Sequence, residues 1–79
     1  MQAYILINCE PAKLWGIAEA FLKIEGVKMA HAVTGQFDVV AYAEFADMNM
    51  LRDLIDKIQS IEGVLRTQTA VTIPPRVHS

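Results

Sequence analysis

Few side chains in this 79-residue chain are equipped for chemistry: one cysteine and two histidines stand among nine acidic and seven basic residues. Cys9 ends an apolar run and has no basic neighbour in sequence to lower its pKa, so it reads as an inert thiol. A lone cysteine cannot form an internal disulfide, and no Cys/His cluster has zinc-ligand spacing. His31 lies in line with Met29 and Val33 in an apolar stretch, where a satisfied structural histidine fits better than a ligand or a base. His78 follows Pro74-Pro75 in a terminal tail. Asp53 with Lys57, and Arg52 with Asp56, stand at helical i,i+4 spacing and read as a solvated face. No nucleophile elbow, phosphate loop, HExxH or EF-hand pattern occurs. The expectation is a chain with no catalytic residue, no metal and no cofactor.

One segment does suggest recognition. Val33-Thr34-Gly35-Gln36-Phe37-Asp38 joins two apolar runs as a tight connection, with Gly35 supplying a positive φ. The carboxylate of Asp38, at the start of the next run, can accept turn N–H groups or meet the amine of a ligand. The turn amides could receive a carboxylate. An Asp that caps its own hairpin is an equally good reading of the same residues.

The elements that position this turn follow from a repeat. Ile24-Glu25-Gly26-Val27 recurs as Ile61-Glu62-Gly63-Val64, an offset of 37 residues. At that offset Leu14, Ile17 and Phe21 fall on Leu51, Leu54 and Ile58, one apolar helical stripe seen twice. Strand-like runs precede each stripe, at Ala3 to Asn8 and Asp38 to Phe45. Others follow each tetrapeptide, at Val27 to Thr34 and Val64 to Ile73. Pro11 suits the first turn of the first helix and Asp47 the N-cap of the second. Gly26 and Gly63 suit left-handed C′ positions. Strand, helix, strand, twice over, predicts an α+β ferredoxin-like βαββαβ fold: a four-stranded antiparallel sheet with two helices on one face. Residues 1–73 form this single domain and 74–79 a tail.

Composition adds an interface. The chain is 53% hydrophobic and 20% charged, rich in apolar residues for so small a domain. Val39, Ala41, Ala43 and Phe45 alternate with Asp38, Val40, Tyr42 and Glu44; Ala3, Ile5 and Ile7 alternate with Tyr4 and Leu6. The face left bare by the helices thus keeps Tyr4, Leu6, Val40 and Tyr42, which predicts a partner subunit there. Trp15 reads as a core flank or an interface anchor, and Met48 and Met50 as gap-fillers. A formal net charge of -2 argues against a phosphate-binding surface, so direct DNA binding is not expected. No signal peptide or membrane-length apolar run occurs, and a reduced cytoplasmic setting fits.

With these residues in order, the whole chain resembles the effector domain of the Lrp/AsnC family, often called RAM. The family pattern is roughly Val-x-Gly-x-Tyr/Phe-Asp, then Gly-Val, then Thr-x-Thr. Here Val33, Gly35, Phe37 and Asp38 match, then Gly63-Val64, then Thr67 and Thr69. Gln36 and Phe37 stand where relatives commonly carry acidic and Tyr residues. The resemblance covers only the C-terminal half of full-length members and implies a stand-alone module without its own helix-turn-helix. It also implies dimers formed through the sheets and associating further into rings, commonly octamers. An amino acid or related effector would bind between dimers, at Thr34, Gly35, Gln36, Phe37 and Asp38 of one subunit with Thr67 and Thr69 of a neighbour. Full-length Lrp/AsnC regulators are the implied co-assembly partners.

Two other readings share the fold. A pure assembly module would have an empty cleft. A small dimeric ferredoxin-like monooxygenase would need a cavity with a polar or haem-binding residue, for which His31 is the candidate. Fold alone does not separate them.

Overall fold

A computed structural model describes residues 1–75. His78 lies outside them. The chain runs β1 (Gln2–Cys9), a 3₁₀ turn at Pro11–Lys13, α1 (Leu14–Phe21), β2 (Val27–Ala32), β3 (Val39–Glu44), α2 (Met48–Gln59) and β4 (Val64–Val71). The sheet order is β2-β3-β1-β4, with each neighbouring pair antiparallel. This is the predicted ferredoxin-like α+β arrangement. β1 is one residue longer at each end than its apolar run suggests. β2 stops at Ala32 because the chain turns away into the loop, and β4 stops at Val71, ahead of Ile73 and Pro74.

Period-two alternation sorts the sheet into two faces. Ala3, Ile5, Ile7, Val39, Ala41 and Ala43 are fully buried on the helix side. All but Ala3 meet Ile17 and Phe21 of α1 and Leu54 and Ile58 of α2 in one core. Phe21, Ile5, Ile7 and Ile58 are the largest side chains sealed there, each contributing roughly 1.5–3 kcal/mol by leaving water. A smaller cluster joins Ala3, Phe45 and Leu51, and Met50 packs against it. Met50 is thus the gap-filler expected, whereas Met48 is exposed. The molecule measures 46 × 27 × 17 Å. Its thinnest dimension holds one sheet and one helical layer, so none of the described residues covers the other face.

Caps and turns end the helices at defined points. Asp47 is an N-cap, its carboxylate accepting the Met50 N–H at 2.9 Å. Pro11 opens the 3₁₀ turn that leads into α1. Each IEGV is a β-turn beyond its helix, after Leu22 and Lys23 in the first copy and after Ser60 in the second, so neither glycine is the helical C′ residue expected. The Val27 and Val64 N–H groups donate to the Ile24 and Ile61 carbonyls at 3.1 and 3.2 Å. Gly26 and Gly63 occupy the third position with φ of 97° and 99°, the type II requirement. Space is tight as well. A Cβ on Gly26 would lie 2.9 Å from the Glu44 carbonyl oxygen, and one on Gly63 would lie 2.8 Å from Lys13 Cδ.

The second turn is also clamped by charge. The Lys13 ammonium pairs with the Glu62 carboxylate, and this hydrogen bond lowers the Glu62 pKa and raises that of Lys13. Its stabilisation is full between the ordinary carboxylate and lysine ranges. It is lost as pH falls through the depressed Glu62 value or rises through the elevated Lys13 value. It is the one ion pair among the described residues, so the expected Asp53–Lys57 and Arg52–Asp56 pairs stay open. Those four side chains extend into water from an exposed face, where closure gains little.

Glycine substitutions separate these effects. Gly26→Ala forces a positive φ and a backbone clash, and is expected to lose at least 1–3 kcal/mol in urea unfolding. Gly16→Ala, in α1 with nothing within 4 Å of the added Cβ, is expected to gain about 0.5–1 kcal/mol. Equal effects at the two positions would contradict the turn geometry.

Candidate functional site

The polar residues gather at the end of the sheet where β1 finishes. The β1–β4 register shifts between Asn8 and Cys9, a bulge that takes the Cys9 N–H out of the regular ladder. A part-buried N–H needs an acceptor, and Asp38 Oδ2 supplies one at 2.9 Å. The Asp38 N–H in turn donates to the Ile7 carbonyl at 2.8 Å, and its carbonyl accepts the Val33 N–H at 2.9 Å. Asp38 is therefore knitted to the end of β1 through backbone and side chain together. It caps the neighbouring strand's bulge, where the sequence suggested its own hairpin or a position on the bare face.

This anchoring holds the loop between β2 and β3. Thr34, Gly35 and Gln36 are exposed, Phe37 and Asp38 half-buried, and Gly35 has the positive φ expected of it, 111°. Asn8 provides a second tether, its Nδ2 donating to the Gln36 carbonyl at 2.8 Å. Asn8 Oδ1 accepts from Arg66 Nη2 at 3.2 Å, and Arg66 lies directly opposite Asn8 on β4. Only one orientation of the Asn8 amide satisfies both contacts, because reversal would set donor against donor at Arg66.

Thr67 and Thr69 lie elsewhere in the chain. They stand opposite Ile7 and Ile5, on the helix side of the sheet, and Thr67 Oγ1 accepts from Gln59 Nε2 of α2 at 3.0 Å. The structure thus assembles Thr34 to Asp38 as one loop but does not bring Thr67 and Thr69 to it within one subunit. Asn8 and Arg66 were not singled out by sequence reasoning. The available signal was Asn8 as the polar end of an apolar strand, and Arg66 as the lone cation beside Thr67.

The remaining chemical candidates are quiet. Cys9 is buried, and burial followed by the Asp38 and Glu10 charges pushes its thiol pKa up, which suppresses the thiolate. His31 is exposed, opposite Val40, and is not the satisfied structural histidine expected. Trp15 is 70% exposed on α1, so it does not flank the core. Among the described residues no group of three or more His, Cys, Asp or Glu side chains could hold a metal, and no helix is long and apolar enough to cross a membrane.

The bare sheet face is the other candidate surface. Tyr4 and Tyr42 are cross-strand partners with ring centroids 5.2 Å apart, and Leu6 sits opposite Val40 in the next row. Tyr4 keeps 44% of its surface exposed. Burial, then Glu44 and Tyr4, raises the Tyr42 pKa, so this phenol stays neutral.

The chain is thus a two-layer α+β domain with an uncovered aromatic and aliphatic sheet face and a tethered loop at one sheet end. The family described as "Lrp/AsnC ligand binding domain" matches residues 2–77, and the chain belongs to it. An uncharacterized HTH-type transcriptional regulator of Pyrococcus abyssi is 31% identical over 70 residues, 87% of this chain and 44% of its own length. A homocitrate synthase of Sulfurisphaera tokodaii is 27% identical over 74 residues, 92% of this chain but 16% of the enzyme. The chain thus spans under half the length of these curated relatives. Among solved structures, a protein of Thermus thermophilus is 33% identical with a TM-score of 0.85, covering 95% of this chain and 98% of that one. A Neisseria meningitidis transcriptional regulator, solved as an L-Met complex, is 28% identical with a TM-score of 0.80, covering 99% of this chain and 53% of that one.

Asp38 can be dissected by two substitutions. Asp38→Ala leaves the Cys9 N–H without an acceptor and is expected to lose about 1–3 kcal/mol of stability. Asp38→Asn keeps an acceptor oxygen and should retain most of it. Thermal unfolding of both variants checks this, and equal losses would show that the charge rather than the hydrogen bond holds the bulge.

Proposed function

We propose that this domain is a non-enzymatic effector module of transcriptional control, binding an amino acid or related small molecule and linking its occupancy to self-association. The observation that carries the reading is the loop Thr34–Asp38, tethered by Asn8 and Asp38 at a sheet end beside the uncovered face. Loop amides and the Asp38 carboxylate offer complementary groups to a zwitterion, and Phe37 offers an apolar wall. Thr67 and Thr69 would come from a neighbouring subunit, because their own subunit turns them toward α2. The L-Met complex of the Neisseria relative supports an amino acid as the ligand class.

The uncovered face supplies the association surface. Two copies packing Tyr4, Leu6, Val40 and Tyr42 together would remove apolar surface from water and seal the second side of each sheet. Such dimers would associate into larger rings, with the effector at their boundaries. A ligand changes such an assembly only through different affinity for its states. Partners of this kind include full-length Lrp/AsnC regulators, whose DNA geometry a bound module would alter in the cytoplasm. The domain's own net charge of -2 gives it little attraction for the DNA backbone.

The reading as an assembly module without ligand draws on one observation, the engagement of Asp38 by the Cys9 N–H. A screen of the twenty amino acids by thermal unfolding separates the two. A ligand held at a hundred times its Kd raises stability by about 2.7 kcal/mol, whereas no shift for any amino acid leaves assembly alone. The monooxygenase reading would need His31 in an enclosed cavity, whereas His31 is exposed and lines an open cleft with Trp15 and Leu22.

Leu6→Glu tests association separately. The substitution puts a charge on the uncovered face and leaves the core intact, so sedimentation is expected to show a shift to monomer with helical content unchanged. A wild-type protein already monomeric at micromolar concentration would remove the interface.

A further inference from the structure

We propose that Arg66 is the carboxylate-receiving residue of the effector site, and that Asn8 is the residue that positions it. This rests on the amino-acid reading above and assigns one end of the ligand to a side chain outside the loop. Arg66 is exposed and has no carboxylate within ion-pair distance among the described residues. A guanidinium carries five donors in a planar fork, and the Asn8 contact at 3.2 Å occupies one of them. The same Asn8 amide grips the Gln36 carbonyl at 2.8 Å. One side chain therefore sets both the cation and the loop, and their relative placement is built before any ligand arrives.

Charge narrows the ligand. Asp38 is tied to the same strand end, one residue further along β1, at the Cys9 N–H. It does not pair with Arg66, so an acid and a base anchored on the adjacent residues Cys9 and Asn8 of β1 leave each other unneutralised. A phosphate dianion would meet repulsion from Asp38 with a single arginine to offset it. An α-amino acid answers both groups at once: its carboxylate takes the guanidinium fork, and its ammonium lies toward the acidic side. A neutral or purely cationic amine leaves Arg66 unanswered. The bulge between Asn8 and Cys9 is what makes the arrangement possible, because it ends regular pairing where these groups emerge.

The test compares each of the twenty L-amino acids with its α-carboxamide, which keeps the ammonium and lacks the carboxylate. Titration is done on the intact chain and on Arg66→Gln, Arg66→Lys and Asn8→Ala, with unfolding curves confirming that each variant folds. For the amino acid that binds wild type, the amide is expected to bind about 10- to 100-fold more weakly. Arg66→Gln should abolish that preference by weakening the acid and sparing the amide. Arg66→Lys should keep part of it, and Asn8→Ala should reduce it with the arginine still present. An amino acid bound equally by wild type and Arg66→Gln overturns the role of Arg66 while leaving the effector reading standing. So does an Arg66→Gln protein whose sedimentation changes but whose preference for acid over amide persists, since Arg66 would then serve association. If no amino acid binds the wild-type chain, the effector reading and this assignment fall together.

Discussion

The period-two geometry of β1 and β3 is the constraint on which the rest depends. Ala3, Ile5, Ile7, Val39, Ala41 and Ala43 must all face the helices, because each is sealed from solvent there. Once that set is buried, Tyr4, Leu6, Val40 and Tyr42 have no choice but the opposite side. A slip of one residue would exchange the two sets, placing two tyrosines in a core that has no partner for their hydroxyls. Register, core composition and the uncovered face are therefore a single decision. Both helices lie on one side of the sheet, and the apolar surface on the other side is left uncovered.

The same strands determine where polar chemistry can appear. Along β1 the helix side is apolar through Cys9, so polar function is confined to the other side or to the strand's end. The bulge at Asn8 and Cys9 marks that end and releases an N–H that must be accepted by something. Asp38 meets that need, and in doing so fixes the β2–β3 loop to the sheet. This structural role is compatible with the proposed recognition role, since Oδ2 accepts the N–H and a carboxylate has a second oxygen. A carboxylate held by one backbone bond also has less rotational freedom to lose when a ligand engages it.

Much of this was legible in residues alone, for identifiable reasons. Alternation along Val39 to Phe45 and the doubled stripe of Leu14, Ile17, Phe21 and Leu51, Leu54, Ile58 encode burial, and burial dictates the fold. The Asp47 cap and the turn glycines were readable because they solve local backbone problems. Failures came where the answer depends on a distant partner. The sequence neighbours of Asp38 suggested a hairpin cap, whereas its acceptor role concerns Cys9, 29 residues away. Asn8 and Arg66 are 58 residues apart and acquire meaning only through strand pairing. The i,i+4 charges on α2 had the right spacing, but water competes with each pair and neither closes. His31 was placed by its apolar neighbours, yet the uncovered face is apolar too, so apolar company does not imply a core position.

The repeated tetrapeptide shows how near-symmetry in sequence yields two unlike ends. Both copies make the same type of turn, and both glycines sit where a Cβ would strike a neighbour. The first copy presses on β3 at the Glu44 carbonyl, at the end where β1 begins. The second presses on Lys13, at the end where β1 finishes, and only there does the turn's glutamate find an ion-pair partner. The Glu10 N–H also donates to the Gly63 carbonyl at 2.9 Å. Second turn, 3₁₀ turn and strand end are thus fastened together beside the bulge that carries Asn8 and Asp38. An exposed ion pair contributes little to global stability, but several independent fastenings at one place restrict local opening. The opposite end is fastened by other means, through the Glu44, Phe45 and Thr72 N–H groups donating to the Gly26, Met1 and Gln2 carbonyls. Both ends of β1 are therefore braced, one by backbone bonds alone in its turn and the other by backbone bonds and charge together.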